Sequence, residues 1–90
     1  MLHIISRIDK LEQAVMYATA TDRFLLVEDA VYAANPRHHA FLSIQPLQTL
    51  VLRPDAEARG IIDMLESSIA VIDFSGFVDL TAEHSKSITW

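Results

Sequence analysis

Four short, almost unbroken apolar runs limit what this chain can become: LHIIS (2–6), FLLVE (24–28), QTLVLR (48–53) and AVIDF (70–74). None of them alternates cleanly between apolar and polar residues. A strand with one wet face alternates. A strand that is apolar on consecutive positions needs cover on both faces, the condition met in a parallel sheet between helices. The order βαβαβαβα follows, with right-handed crossovers between parallel strands. The expectation is a small three-layer α/β/α domain with a four-stranded, mostly parallel sheet in the order 2-1-3-4. Ninety residues make one domain, residues 1–90. A fold of that size buries roughly 60–65% of the surface its unfolded chain exposes.

The segments between the runs carry helical signals. Asp9 followed by Glu12 has the spacing of a capping box. Leu11, Ala14, Val15 and Ala18 then form one apolar stripe that fades over Thr19 to Asp22. DAVYAA (29–34) predicts a short second helix that stops before Asn35-Pro36, because proline disfavours helix in the residue before it. PRHHAFLSIQP (36–46) allows one more helical turn. A third helix starts after Arg53-Pro54, with Asp55 and Glu57 at its positive end and Gly60 ending it or permitting close packing. A fourth starts in IDFSGFVDL (72–80), with Ser75 as its cap. The tail SKSITW (85–90) carries no assigned element.

Several kinds of chemistry are excluded at this level. The chain has no cysteine, which removes disulfides, thiolate zinc ligands and thiol catalysis. Its two glycines, Gly60 and Gly76, lie in neither GxGxxG nor GxxxxGK[ST], so phosphate loops of those kinds are absent. A formal net charge of -5 disfavours direct contact with nucleic acid. No 18-residue apolar run exists to span a membrane, and the opening MLHIISRIDK lacks a basic segment and cleavage site. The expected location is the cytoplasm. No cofactor is called for.

What remains is sparse. Glu28, Asp29 and Asp73 fall near the carboxyl ends of strands, where ligands bind in open α/β sheets. They are read either as a Mg²⁺ site or, for Asp29 and Asp73, as helix caps. Adjacent histidines diverge in either a strand or a helix, so His38-His39 reads as a loop pair and not as a shared metal site. Ser75-Gly76 lacks the context of a nucleophile turn. Arg59 could clamp an anion or pair with Asp29, Asp55 or Glu57; the pair with Asp55, four residues before it, is the expected one, with an interface anchor as the other reading. Trp90 covers the sheet edge or docks into a partner. With 51% apolar residues and only 21% charged, some apolar side chains are expected to face a partner. Asp29, Tyr32, Arg59, Phe74 and Trp90 are the candidate interface residues, and no catalytic or metal-binding residue is assigned.

Taken together, MLH (1–3), LLVEDAVYAA (25–34), VLRPDAEARG (51–60), VIDFSGFVDLT (71–81) and the closing Trp90 resemble the DsrH/TusB family of sulfur-relay subunits, nearly end to end. The resemblance implies a small three-layer α/β fold and two homologous sister subunits, TusC/TusD-like or DsrE/DsrF-like, in a heterohexamer with two copies of each. It implies persulfide transfer toward 2-thiouridine at the tRNA wobble position, or, in sulfur oxidisers, dissimilatory sulfur metabolism. It also implies that the active cysteine belongs to a sister subunit. Some members carry a cysteine in the first helix, at a place near Ala14 here. This chain has none, which favours the tRNA-modifying role, because a thioether forms no thiolate. The alternative from another class is a stand-alone metal-dependent enzyme using Glu28, Asp29 and Asp73. Made alone, the chain is expected to be able to form homo-oligomers.

Overall fold

The alternation of strands and helices is realised with one strand more than the apolar runs disclose. A computed structural model describes residues Met1–Trp90. Its strands are β1 (Leu2–Ile5), β2 (Arg23–Leu26), β3 (Gln48–Leu52), β4 (Ala70–Ile72) and β5 (Ser87–Thr89). All pair in parallel, in the order β4-β3-β2-β1-β5. The α/β class, the helix-covered sheet and the parallel strands agree with the sequence reading. The expected order 2-1-3-4 does not hold. β3 lies beside β2 and not beside β1, because the far side of β1 is taken by β5. That fifth strand lies in the tail and has a single large apolar residue, Ile88, which is too little to register as an apolar run.

The order of the strands divides the helices between two faces. Each step from β1 to β4 moves one place in the same direction. Right-handed crossovers therefore put the intervening helices on one face. These are α1 (Leu11–Tyr17), α2 (Phe41–Ile44), α3 (Arg53–Ala58) and 3-10 helices over Ile8–Lys10, Glu28–Ala34 and Ile62–Met64. Their buried residues, among them Leu11, Ala14, Val31, Ile44 and Ala56, pack on Ile5, Phe24, Leu26 and Val51 of the sheet. The return from β4 to β5 crosses the other face through α4 (Phe74–Glu83) alone. There Leu80 closes a smaller cluster with Leu2, Leu25, Leu50 and Leu52. The alternating side chains of β1, β2 and β3 feed both clusters, which is why those runs carry no polar residue at every second place.

Local chemistry sets the helix ends. The capping box is not formed. A 3-10 turn over Ile8–Lys10 precedes α1, so Asp9 lies too early, and its carboxylate instead accepts from the Arg7 guanidinium at 3.0 and 2.6 Å. The second helix stops before Asn35-Pro36 as expected. It is a 3-10 helix with Ala30, Val31, Ala33 and Ala34 buried, small side chains that let it lie close to the sheet. Gly60, at φ 67°, ends α3. The Gly60 N–H reaches the Glu57 carbonyl and the Ile61 N–H reaches that of Ala56, the two bonds of a Schellman motif. α4 is capped by Asp73 and not by Ser75. Asp73 accepts from the Gly76 N–H at 2.8 Å and from the Ser75 hydroxyl at 2.9 Å. A β-carbon on Gly76 would sit 3.0 Å from that of Ile72, so glycine lets the first turn of α4 fold back onto β4.

Nothing lies within 4 Å of the place a Gly60 side chain would occupy. Gly60→Ala should therefore cost only the strain of a left-handed backbone, about 1 kcal/mol in urea unfolding, with Gly60→Asn losing less.

Candidate functional site

The carboxyl edge of the sheet is where an α/β fold ordinarily holds a ligand. Here its polar side chains are occupied with one another. Glu28 leaves β2 in the left-handed region, at φ 48°. Its N–H donates to Asp55 Oδ2 at 2.6 Å. Asp29 Oδ1 accepts from Arg59 Nε at 3.0 Å, and Arg59 Nη1 also donates to the Asp55 carbonyl oxygen at 3.4 Å. Arg59 thus joins α3 to the 3-10 helix, and does not form the expected side-chain pair with Asp55. Asp29 caps no helix. The Asp73 carboxyl is held below the usual carboxylate range, first by the Gly76 N–H and then by the Ser75 hydroxyl.

The carboxylates do not converge. β2 and β4 are separated by β3, so residues at their ends stand about 10 Å apart across the sheet. No group of three or more His, Asp or Glu side chains is placed to hold a metal ion. His38 and His39 stack at 4.3 Å between ring centres, and His38 Nδ1 accepts from the Ala40 N–H at 3.1 Å. Burial, and then the neighbouring His39, push the His38 imidazole below its ordinary value. The pair braces the loop before α2.

The one buried polar network was not found by sequence reasoning. His3 is fully buried in the middle of β1. Its Nε2 lies 2.8 Å from Asp22 Oδ2, its Nδ1 lies 3.2 Å from Trp90 Nε1, and its ring stacks on Phe24 at 4.7 Å. An indole nitrogen only donates, so His3 Nδ1 accepts and the proton sits on Nε2, directed at Asp22. Asp22 also accepts from the Thr19 N–H and hydroxyl and from the Met1 amine. The hydrogen bond from His3 is the main reason that the Asp22 carboxyl is held far below the usual range, against the opposing effect of burial. A histidine inside a run apolar on both faces was the available signal, since a buried imidazole requires partners.

The five candidate interface residues do not form one patch. Asp29 and Arg59 meet as an ion pair beside the main helical layer. Tyr32 is half-buried against the larger core, and Trp90 closes over His3 with Tyr17 edge-on at 5.9 Å. Phe74 stands on α4 on the opposite face, 63% exposed, with Val78 at 56% one turn further on. No helix is long and apolar enough to cross a membrane.

These features define a small all-parallel α/β domain whose exposed large apolar residues, Met1 aside, lie on helices. The chain belongs to the DsrH-like family, whose model, described as "DsrH like protein", matches residues 6–87. It is similar to "Protein TusB" of Cronobacter sakazakii, 37% identical over 71 residues, which cover 77% of this chain and 75% of that protein. It is likewise similar to "Protein TusB" of Pectobacterium parmentieri, 38% identical over 72 residues covering 77% and 75%, and of Yersinia pestis, 33% over 75 residues covering 81% and 79%. In fold it resembles the ychN protein from E. coli, with a TM-score of 0.78 at 14% identity, over 99% of this chain and 97% of that one. It also resembles protein Tm0979 from Thermotoga maritima, with a TM-score of 0.62 at 19% identity, over 96% and 97%.

Because the Asp22 carboxyl is lowered on folding, its stabilisation is complete above the unfolded value of about 4 and is lost as pH falls through that value toward the folded one. Asp22→Asn should lower stability near neutral pH by about 2 kcal/mol, the loss of hydrogen bonds to a charged group. It should also flatten the acid limb of a stability–pH curve measured by urea unfolding.

Proposed function

We propose that this chain is a single-domain, non-catalytic subunit of a sulfur-relay complex in the cytoplasm, assembled with two homologous sister chains as a heterohexamer. The complex passes persulfide sulfur toward 2-thiouridine at the tRNA wobble position. The observation that carries this reading is a member of the DsrH-like family with no cysteine. A relay step moves sulfur between thiolates, and a methionine thioether forms none. Ala14, near the place where some relatives carry a cysteine, is fully buried under the main helical layer. The thiolate of the relay therefore lies on a sister chain, and this one contributes surface. That disfavours the role in dissimilatory sulfur oxidation. Of the carboxylates a stand-alone metal enzyme would use, Asp29 is engaged with Arg59 and Asp73 with Ser75 and the Gly76 N–H, and no three acidic or histidine side chains converge. The negative charge of the chain leaves contact with tRNA to its partners.

Asp29, Tyr32, Arg59, Phe74 and Trp90 are the proposed contact residues. Phe74 offers the largest exposed apolar surface of the five. Asp29 and Arg59 offer a surface ion pair, and Tyr32 and Trp90 act from half-buried positions.

Co-expression with the two sister chains, followed by mass determination of the intact complex, should give two copies of each chain. Loading that complex from a persulfide donor should add sulfur to a sister chain and none to this one. A lone monomer, or sulfur found on this chain, would contradict the reading. Tyr32→Ala and Arg59→Ala should each weaken co-purification, and unchanged recovery of the sister chains would remove those two residues from the interface.

A further inference from the structure

The two faces of the sheet are covered unequally. Six helical segments, three of them 3-10 helices, lie over one face, while α4 alone crosses the other. A helix of 10 residues is about 15 Å long, and five strands span about 19 Å. Ile4, Val27 and Ile72 accordingly stay half-buried on that face, packed, like Phe77 of α4, against the leucine cluster. Phe77 meets Phe74 edge-on at 5.7 Å between ring centres. From Phe74 an outward stripe continues through Val78 and Ala82 at four-residue spacing, the ridge by which helices interlock. The apolar surface is thus continuous from the sheet over Phe77 to the outer side of α4.

We propose that this surface docks a protein partner presenting apolar side chains within a rim of lysine or arginine, and that its occupant is not a second copy of this chain. The proposal rests on the subunit reading above. Charge decides between the two occupants. Residues 73 to 83 contain Asp73, Asp79 and Glu83 and no lysine or arginine. Arg23 reaches Glu83 at 3.1 Å from the sheet, and Asp79 makes no ion pair. A two-fold pairing brings a surface onto itself. Crossed at Val78, two copies of α4 set each Asp79 near its counterpart, and the chains meet at a net charge of -5 each. A partner with a basic rim turns the same carboxylates into attractive contacts and discriminates against self-pairing.

The test is the complex of this chain with its two sister chains, purified with wild-type, Phe74→Ala, Val78→Asp and Asp79→Lys versions and titrated at low and raised salt. Both apolar positions are more than half exposed, so folding is retained, which circular dichroism and melting verify. Phe74→Ala should weaken assembly about tenfold and Val78→Asp more. Asp79→Lys should weaken it at low salt and reduce its salt dependence. A wild-type complex indifferent to Phe74→Ala and Val78→Asp overturns the surface and leaves the subunit reading standing. No complex with the wild-type chain overturns both. A wild-type chain that dimerises alone, and is returned to monomer by Val78→Asp, makes a second copy the occupant and overturns the proposal.

Discussion

The hydrogen bond from a buried imidazole to a buried carboxylate holds the first strand in place, and the rest of the sheet is laid out around that strand. β1 is the only strand that must be joined on one side by the strand that follows it and on the other by the last one. His3, at its centre, reaches Asp22 just before β2 and Trp90 just after β5. One side chain therefore ties three strands together through opposite edges of a single ring. The tautomer is fixed by the partners, since Trp90 only donates and Asp22, as an anion, only accepts. Ser6 completes the seam. Its N–H and its hydroxyl both donate to the Trp90 carbonyl oxygen, at 2.9 and 2.8 Å. A three-residue strand with one large apolar side chain would be marginal by itself. These bonds give β5 an anchor at the point where its own sequence gives it little.

A sheet centred in this way has different obligations on its two faces. The main face carries small residues in quantity. Ala14, Ala30, Ala33, Ala34, Ala40 and Ala56 are all buried, and they bring helical segments close enough to exclude water without large side chains. The other face is closed by leucines from four places along the chain. It receives its only helix from the crossover that runs between the two edges of the sheet, from β4 to β5. Asp73 and Gly76 set the angle at which that helix departs. The carboxylate fixes where the helix begins, and the missing β-carbon fixes how near it passes to Ile72. Arg23 holds the far end through Glu83, a largely exposed pair that orients more than it stabilises.

Most of this architecture was legible from the sequence because it rests on burial. The unbroken apolar runs gave the parallel sheet, and Asn35-Pro36, Arg53-Pro54 and Gly60 marked helix limits that the structure keeps. The parts that were not legible depend on contacts between distant residues. β5 exists through bonds to β1 and to His3, and nothing in SKSITW signals them. The strand order was misjudged for the same reason, since only the return of the tail settles which side of β1 is free for β3. Asp9 and Ser75 have the right residue types for caps but stand in the wrong register, Asp9 within a 3-10 turn and Ser75 after Asp73. Of the partners the sequence allows Arg59, the structure takes Asp29, brought near by the fold, over Asp55 four residues before it in the chain. Phe74, marked from sequence, stands out on the open face.

The strand–helix junction IDFSGFVDL occupies the position where larger α/β proteins keep their catalytic groups, and here those positions are used otherwise. Asp73 accepts from the backbone and Ser75 donates to Asp73, so neither is free for a substrate. Gly76 contributes the lack of a side chain. With these three residues committed to starting α4 against β4, the residue between Asp73 and Ser75 has no room inward and projects outward, and that residue is Phe74. The same geometry that removes chemistry from this edge of the sheet creates an exposed aromatic beside a half-covered apolar face. At this edge Asp29 is tied to arginine and Asp73 to serine and a backbone donor, and what the junction turns to solvent is the Phe74 ring, edge-on to Phe77.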